Sequence, residues 1–246
     1  MKKNKLKTIS KLRTIYIIKL IFRGMLLISA LYVWVYEKNL FNTLYDFDYF
    51  GKITIIHVFW IVWIFQIIVH FFPVKNYISI GSQKYFSSKY RRTQKNVDDT
   101  LIIYIKSITK IAYKILLFWI CLIFTIGFLY YIKIFNAISL FMITALFRVL
   151  DLVCVLFWCP FRLIMKNRCC TTCRIFNWDH IMTFSPLIFI GSFFAYSLCI
   201  LSLMEWIIWE LSVLKHPERF YEKTNKALKC SECTDQLCNQ SRKKLN

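Results

Sequence analysis

Long apolar runs separated by basic segments limit what this chain can fold into more than any other feature. They lie at about 14–36, 53–74, 115–132, 137–158 and 181–214 of 246 residues. About 20 helical residues cross the hydrocarbon of a bilayer, and a workable range is about 17–25. Each run reaches that length, and 58% of the chain is hydrophobic, above the roughly half typical of soluble domains. The fold class expected is therefore all-α, a polytopic integral membrane helix bundle of about five transmembrane helices with one interfacial amphipathic helix.

The polar segments divide the chain into parts. Residues 1–13 form a basic arm, 14–158 a four-span membrane region, 159–180 a cysteine-rich loop, 181–214 the last membrane helix and 215–246 a basic tail. Asp98, Asp99 and Thr100 suit a helix start, because acidic and hydroxyl side chains satisfy free backbone N–H groups. Lys106, Lys110 and Lys114 then recur every four residues opposite apolar positions, which predicts the interfacial helix near 99–114, leading into the third span. The net charge of +20 is not joined by any nucleic-acid-binding motif. Basic flanks instead fit the positive-inside rule and anionic lipid, so a bilayer with anionic lipids is the partner expected and nucleic acid is not. A homo-oligomer or a membrane partner protein stays open.

Sidedness follows from the same charges. The basic arm and the segment holding Lys84, Lys89, Arg91 and Arg92 place the N-terminus, that segment and the cysteine loop in the cytoplasm. The run at 181–214 is too long for one straight crossing, and a single crossing at about 183–205 is the reading favoured. That reading sends the tail to the other side, in conflict with the tail's Lys215, Arg219, Lys223, Lys226 and Lys229.

The cysteine loop holds the chemistry. Cys159, Cys169, Cys170 and Cys173 lie among Arg162, Lys166, Arg168 and Arg174, and the tail adds Cys230, Cys233 and Cys238. Cys170-Thr-Thr-Cys173 and Cys230-Ser-Glu-Cys233 have the spacing at which two thiolates bind one tetrahedral ion from a tight turn. The metal ligands expected are these seven cysteines, and the cofactor expected is zinc or an iron–sulfur cluster. His180 is weighed as a ligand beside the loop thiols, and Asp179 as a helix cap. Two alternatives stay open: a membrane thiol-disulfide or iron–sulfur electron carrier, and a small ion- or proton-coupled transporter. An enzyme is not favoured, because hydrolase and phosphate-binding signatures are lacking.

Other polar residues sit inside the spans. Arg148 and Asp151 lie one turn apart on the fourth run, as an internal charge pair would. Lys19 and Arg23 are expected to snorkel to headgroups. His57 and His70, thirteen apart, face similarly, but the second axial ligands that haem would need are missing, so they read as satisfied polar groups. Glu205 and Glu210 beside Trp206 and Trp209 read as solvated interfacial carboxylates.

CPFR at 159–162, CCTTCRIFNWDH at 169–180, HPERF at 216–220 and CSECTDQLC at 230–238 together resemble a family of small bacterial multi-span membrane proteins. The resemblance covers roughly the C-terminal 100 residues. It implies a bacterial plasma membrane location, with no activity attached.

Overall fold

The computed structural model describes residues 10–44, 51, 53–74, 77–93, 99–166, 169–233, 235 and 237. Among these the chain is an all-α bundle. The α-helices are α1 (Lys11–Tyr36), α2 (Ile55–His70), α3 (Ile80–Gln83), α4 (Asp99–Tyr131), α5 (Ala137–Leu156), α6 (Phe161–Ile164), α7 (Asp179–Phe184) and α8 (Phe193–Lys215). Four of them, α1, α4, α5 and α8, are long and apolar enough to cross a membrane, and α2 is a shorter apolar helix of 16 residues. Their starts are capped locally. Ser10 accepts from the N–H of Arg13, Asn136 from that of Ser139, and the N–H of Thr54 donates to Nδ1 of His57. His57 is thus engaged at the first turn of α2.

The outside of the bundle is oily, with Ile21, Ile61, Phe118, Phe124, Phe128 and Ile200 all exposed. That is the surface a helix bundle presents to lipid rather than to water. Inside, Phe59, Trp63, Phe141, Phe184 and Phe194 form an aromatic cluster, and each of these rings lies within 5.9 Å of at least one other. The expected interfacial helix and third span are a single element, α4, about 50 Å long at 1.5 Å per residue. Lys106, Lys110 and Lys114 are exposed along it, while Ile108, Ala112 and Ile115 face a second core built from Tyr85, Trp178, Trp209 and Phe220.

The last apolar run departs most from expectation. It is not one continuous helix. After α7 the backbone tightens into a 3-10 segment, Ser185–Ile190, with Pro186 at its start. Gly191 follows in the left-handed region at φ +71, which a glycine adopts without Cβ strain, and Ser192 opens α8. The chain therefore turns back on itself, and α7 lies antiparallel to α8. The Sγ of Cys199 sits 3.4 Å from the carbonyl of Phe184, and the Trp178 and Trp206 rings are 6.1 Å apart. Near the turn, Phe189 lies over Gly127 of α4, where a Cβ would come within 2.3 Å of its ring.

This fold-back gathers the polar segments at one end of the bundle. Lys84 donates to the carbonyls of Thr171 and Cys173 at 3.0 and 2.7 Å. Asp235 accepts from the N–H of Ile80 at 2.6 Å, and its own carbonyl accepts from Ser10 at 2.7 Å. The N–H of Thr93 donates to Thr224, and that of Lys226 to Arg91. Gly81 packs so tightly on Thr171 that an added Cβ would lie 2.8 Å from its Cα. The cysteine loop and the described part of the tail therefore lie at the same end of the bundle.

The arrangement predicts shared access. In intact cells, single-cysteine variants keeping Cys159 or Cys230 should show the same labelling by a membrane-impermeant maleimide. Opposite patterns would contradict the fold-back.

Candidate functional site

Where the fold-back sets α7 against α8, three ligand-type side chains converge. His70 from the end of α2, His180 from α7 and Glu205 from α8 place one ligand atom each within 4.8 Å of the others. Nδ1 of His70 lies 3.0 Å from Oε1 of Glu205, and Nδ1 of His180 contacts Oε2. Glu205 is 2% exposed and His180 1%, so the expected solvated carboxylate is instead buried, with both oxygens engaged. The reason is the fold-back, which carries this part of α8 into the bundle. Glu210 is also buried. It forks onto the guanidinium of Arg174 and accepts from Nε1 of Trp178 at 2.9 Å. Arg174, which lies among the loop cysteines in sequence, is committed to that pair.

Beyond His180 stands Asp179. Its Oδ2 is 3.8 Å from Nε2 of His180, and both that nitrogen and the other carboxylate oxygen, Oδ1, are buried without a hydrogen-bond partner. Buried polar atoms are ordinarily paired, so these two require an account. If Nδ1–H of His180 donates to Glu205, its Nε2 lone pair faces a carboxylate, acceptor against acceptor. A proton on either carboxyl resolves this, and so does a cation. An ion on Nδ1 leaves the proton on Nε2, directed at Asp179, as metal-bound histidines commonly direct theirs at a carboxylate. The donor set fits: two imidazoles and a carboxylate suit a borderline divalent ion. Ligands of one tetrahedral ion are about 3.3 Å apart for bonds of about 2.0 Å, so atoms that lie within 4.8 Å of one another need small side-chain rotations to share one ion.

A cavity of about 310 Å³ opens beside this group, with His70, Asp179, Cys154, Cys159, Cys170 and Cys173 among its lining residues. The thiol of Cys154 donates to the sulfur of Cys159. That bond is the main influence on Cys159 and, helped by the backbone N–H groups of Arg162 and Phe161 against the opposing effect of burial, brings its pKa down to about 7. On the loop, Lys84 is fully buried over the rings of Trp209 and Phe220, and burial pushes its ammonium down to about 7. Ser82 and Asn177 exchange hydrogen bonds at 2.6 and 3.0 Å, fastening the loop over the cavity.

The seven expected ligands are divided by the structure. Cys159, Cys170 and Cys173 face the cavity. Cys169 is buried and accepts from the hydroxyl of Thr171 at 3.3 Å. Cys230 is exposed and Cys233 half-buried in the tail, while Cys238 lies outside the described residues, as does Arg168. Among the described residues, the group of three converging ligand-type side chains contains no cysteine. His180, weighed beside the thiols, meets Glu205 instead.

The charge pair within the fourth run is rearranged. Asp151 bonds Arg23 of α1 at 2.9 Å, and Arg23 also donates to the carbonyl of Arg148 at 2.7 Å. Arg148 turns to Oε1 of Gln66 on α2. Arg23, expected to snorkel outward, is buried because a carboxylate lies within reach across the helix interface.

No protein-family model matches this chain, nor does any curated protein or any solved structure.

Two outcomes check the site's electrostatics. Alkylation at Cys159, read by peptide mass, should rise through a midpoint near pH 7, because the thiolate is the nucleophile. In Cys154→Ala the midpoint should move up toward an ordinary thiol. Asp151→Ala should cost about 3–5 kcal/mol by stranding a buried guanidinium, and Arg23→Met should restore more of that loss than Arg148→Met. Equal rescue would refute the Arg23 pairing.

Proposed function

We propose that this chain is a multi-pass protein of a bacterial plasma membrane that holds a transition-metal ion inside the bundle at its basic end. The observation that carries the reading is the line Glu205–His180–Asp179, in which a neutral histidine between two ionised carboxylates leaves a buried nitrogen facing an acceptor, a mismatch that a cation on the side toward Glu205 removes. His70, His180 and Glu205 are the ligands, and Asp179 orients His180. Two nitrogens and an oxygen favour zinc or ferrous iron over an iron–sulfur cluster, which takes thiolates. The ion would supply charge and a fixed geometry in a bundle otherwise held by apolar packing. The role is holding or passing the ion, rather than hydrolysis.

Sidedness belongs to the same reading. With the cysteine loop, the described part of the tail and the start of α1 at one end, the positive-inside rule puts that end in the cytoplasm, against anionic headgroups. Kinship with the small bacterial multi-span family sharing the CCxTCR loop is part of the proposal.

The same geometry supports a second reading. A proton on His180 would also satisfy Asp179 and Glu205 together, as a proton-coupled transporter would use it.

Metal titration separates the two. Full-length protein stripped with chelator should bind one zinc or ferrous ion per chain at the His–Glu group. Glu205→Gln should abolish that binding, and Asp179→Asn should weaken it about 10–100-fold. Binding by neither metal in the unaltered protein, or unchanged binding in both variants, would overturn the metal reading.

A further inference from the structure

Four cysteines, Cys154, Cys159, Cys170 and Cys173, line the cavity that His70 also borders. Cys154 lies in the last turn of α5, and Cys159 follows three residues after that helix ends. Both are half-buried, both line the cavity and their thiols are hydrogen-bonded to each other. Two sulfurs at hydrogen-bond distance need only small rotations to share one ion. Cys170 and Cys173 line the same space from the cysteine loop, and Cys170 is close enough for its charge to be felt at Cys154. Cys154 itself belongs to neither CxxC motif.

The charged lining is mixed: Lys19, Arg23, Asp151 and Asp179 also border the cavity. Arg23 is neutralised by Asp151, and Lys19 is held by the carbonyl and ring of Tyr77. A bare divalent ion entering this largely apolar space gives up much of its hydration while its charge is only weakly screened. Two thiolates remove that obstacle, since a divalent ion bound by two of them carries no net charge. Thiolate ligands also select soft and borderline ions over magnesium or calcium.

We infer that Cys154 and Cys159 form an entry site for a thiophilic d10 cation, zinc or cuprous copper, which passes the ion across the cavity to His70 and the buried group. The binding half stands on the thiol pair alone, and the transfer half rests on the metal reading of His70, His180 and Glu205. The chemistry is ligand exchange with no change of oxidation state. Two S–H bonds give up protons to solvent as two metal–sulfur bonds form. On transfer those bonds break, metal–nitrogen and metal–oxygen bonds replace them, and the thiols regain two protons.

Cobalt(II) is the probe, added anaerobically to reduced full-length protein in detergent. The unaltered chain should show the near-ultraviolet thiolate-to-cobalt charge-transfer band, followed by visible bands from the nitrogen–oxygen site. Cys154→Ser with Cys159→Ser should lose the charge-transfer band and fill the second site at least 10-fold more slowly, to the same final level. Glu205→Gln should keep the charge-transfer band and lose the visible bands of the buried site. Displacement of the thiolate band by equimolar zinc assigns the entry site to zinc, and displacement by cuprous ion alone assigns it to copper. A thiolate band that survives in the double serine variant, or loading of the buried site at an unchanged rate, overturns the proposal. A thiolate band with no second site in the unaltered chain would instead sink the metal reading of the histidines and leave the entry site standing.

Discussion

A carboxylate cannot stay ionised inside a helix bundle without partners, and the placing of Glu205 shapes much of this structure. Its two oxygens are taken by histidines from two different elements, α2 and α7. Had the final apolar run continued as one helix, His180 would lie about 38 Å from Glu205 along the axis. The fold-back at Gly191 closes that distance. It also sets Arg174 onto Glu210, so two buried carboxylates of α8 are satisfied by the segment that precedes it. Removing a single partner from such a buried pair costs several kcal/mol, which makes the hairpin and its polar contacts mutually dependent.

The same turn organises the ends of the molecule. Because α7 and α8 run antiparallel, the cysteine loop and the tail meet the segment around α3 on one side. Lys84, Ser82, Gly81 and Asn177 fasten them by hydrogen bonds and close backbone contact. The basic loops thereby collect at one end, where the thiols, the cavity and the His–Glu group lie within one continuous region.

The helix bundle was readable from hydrophobic run length alone, since a run of 18 or more apolar residues has few other stable forms. The lysine face of α4 was equally plain, because a period of four residues maps directly onto a helix surface. The fold-back was not. Its marks are Pro186 and Gly191 inside a continuous apolar stretch, and composition counts such residues as span rather than turn. The site was lost with it: His180 and Glu205 are 25 residues apart and His70 is 110 residues before His180, so no local spacing unites them. The cysteine motifs drew attention to the right end of the molecule but to the rim of the site. Cys154, outside any motif, escaped notice because one cysteine in an apolar helix reads as a small hydrophobe. Likewise Asp151 had an obvious neighbour in Arg148 one turn away, and only the packing of α1 against α5 shows that Arg23 takes it.

The claim on which the account stands is that residues 181–214 turn back rather than cross once. Spin labels at Ile181 and Leu211, with distances measured by pulsed electron resonance in lipid, address it directly. A hairpin predicts a separation of about 20 Å or less, from one helix–helix spacing plus a turn or two of rise. A distance of about 45 Å, the length of thirty helical residues laid straight, would contradict the fold-back and separate His180 from Glu205.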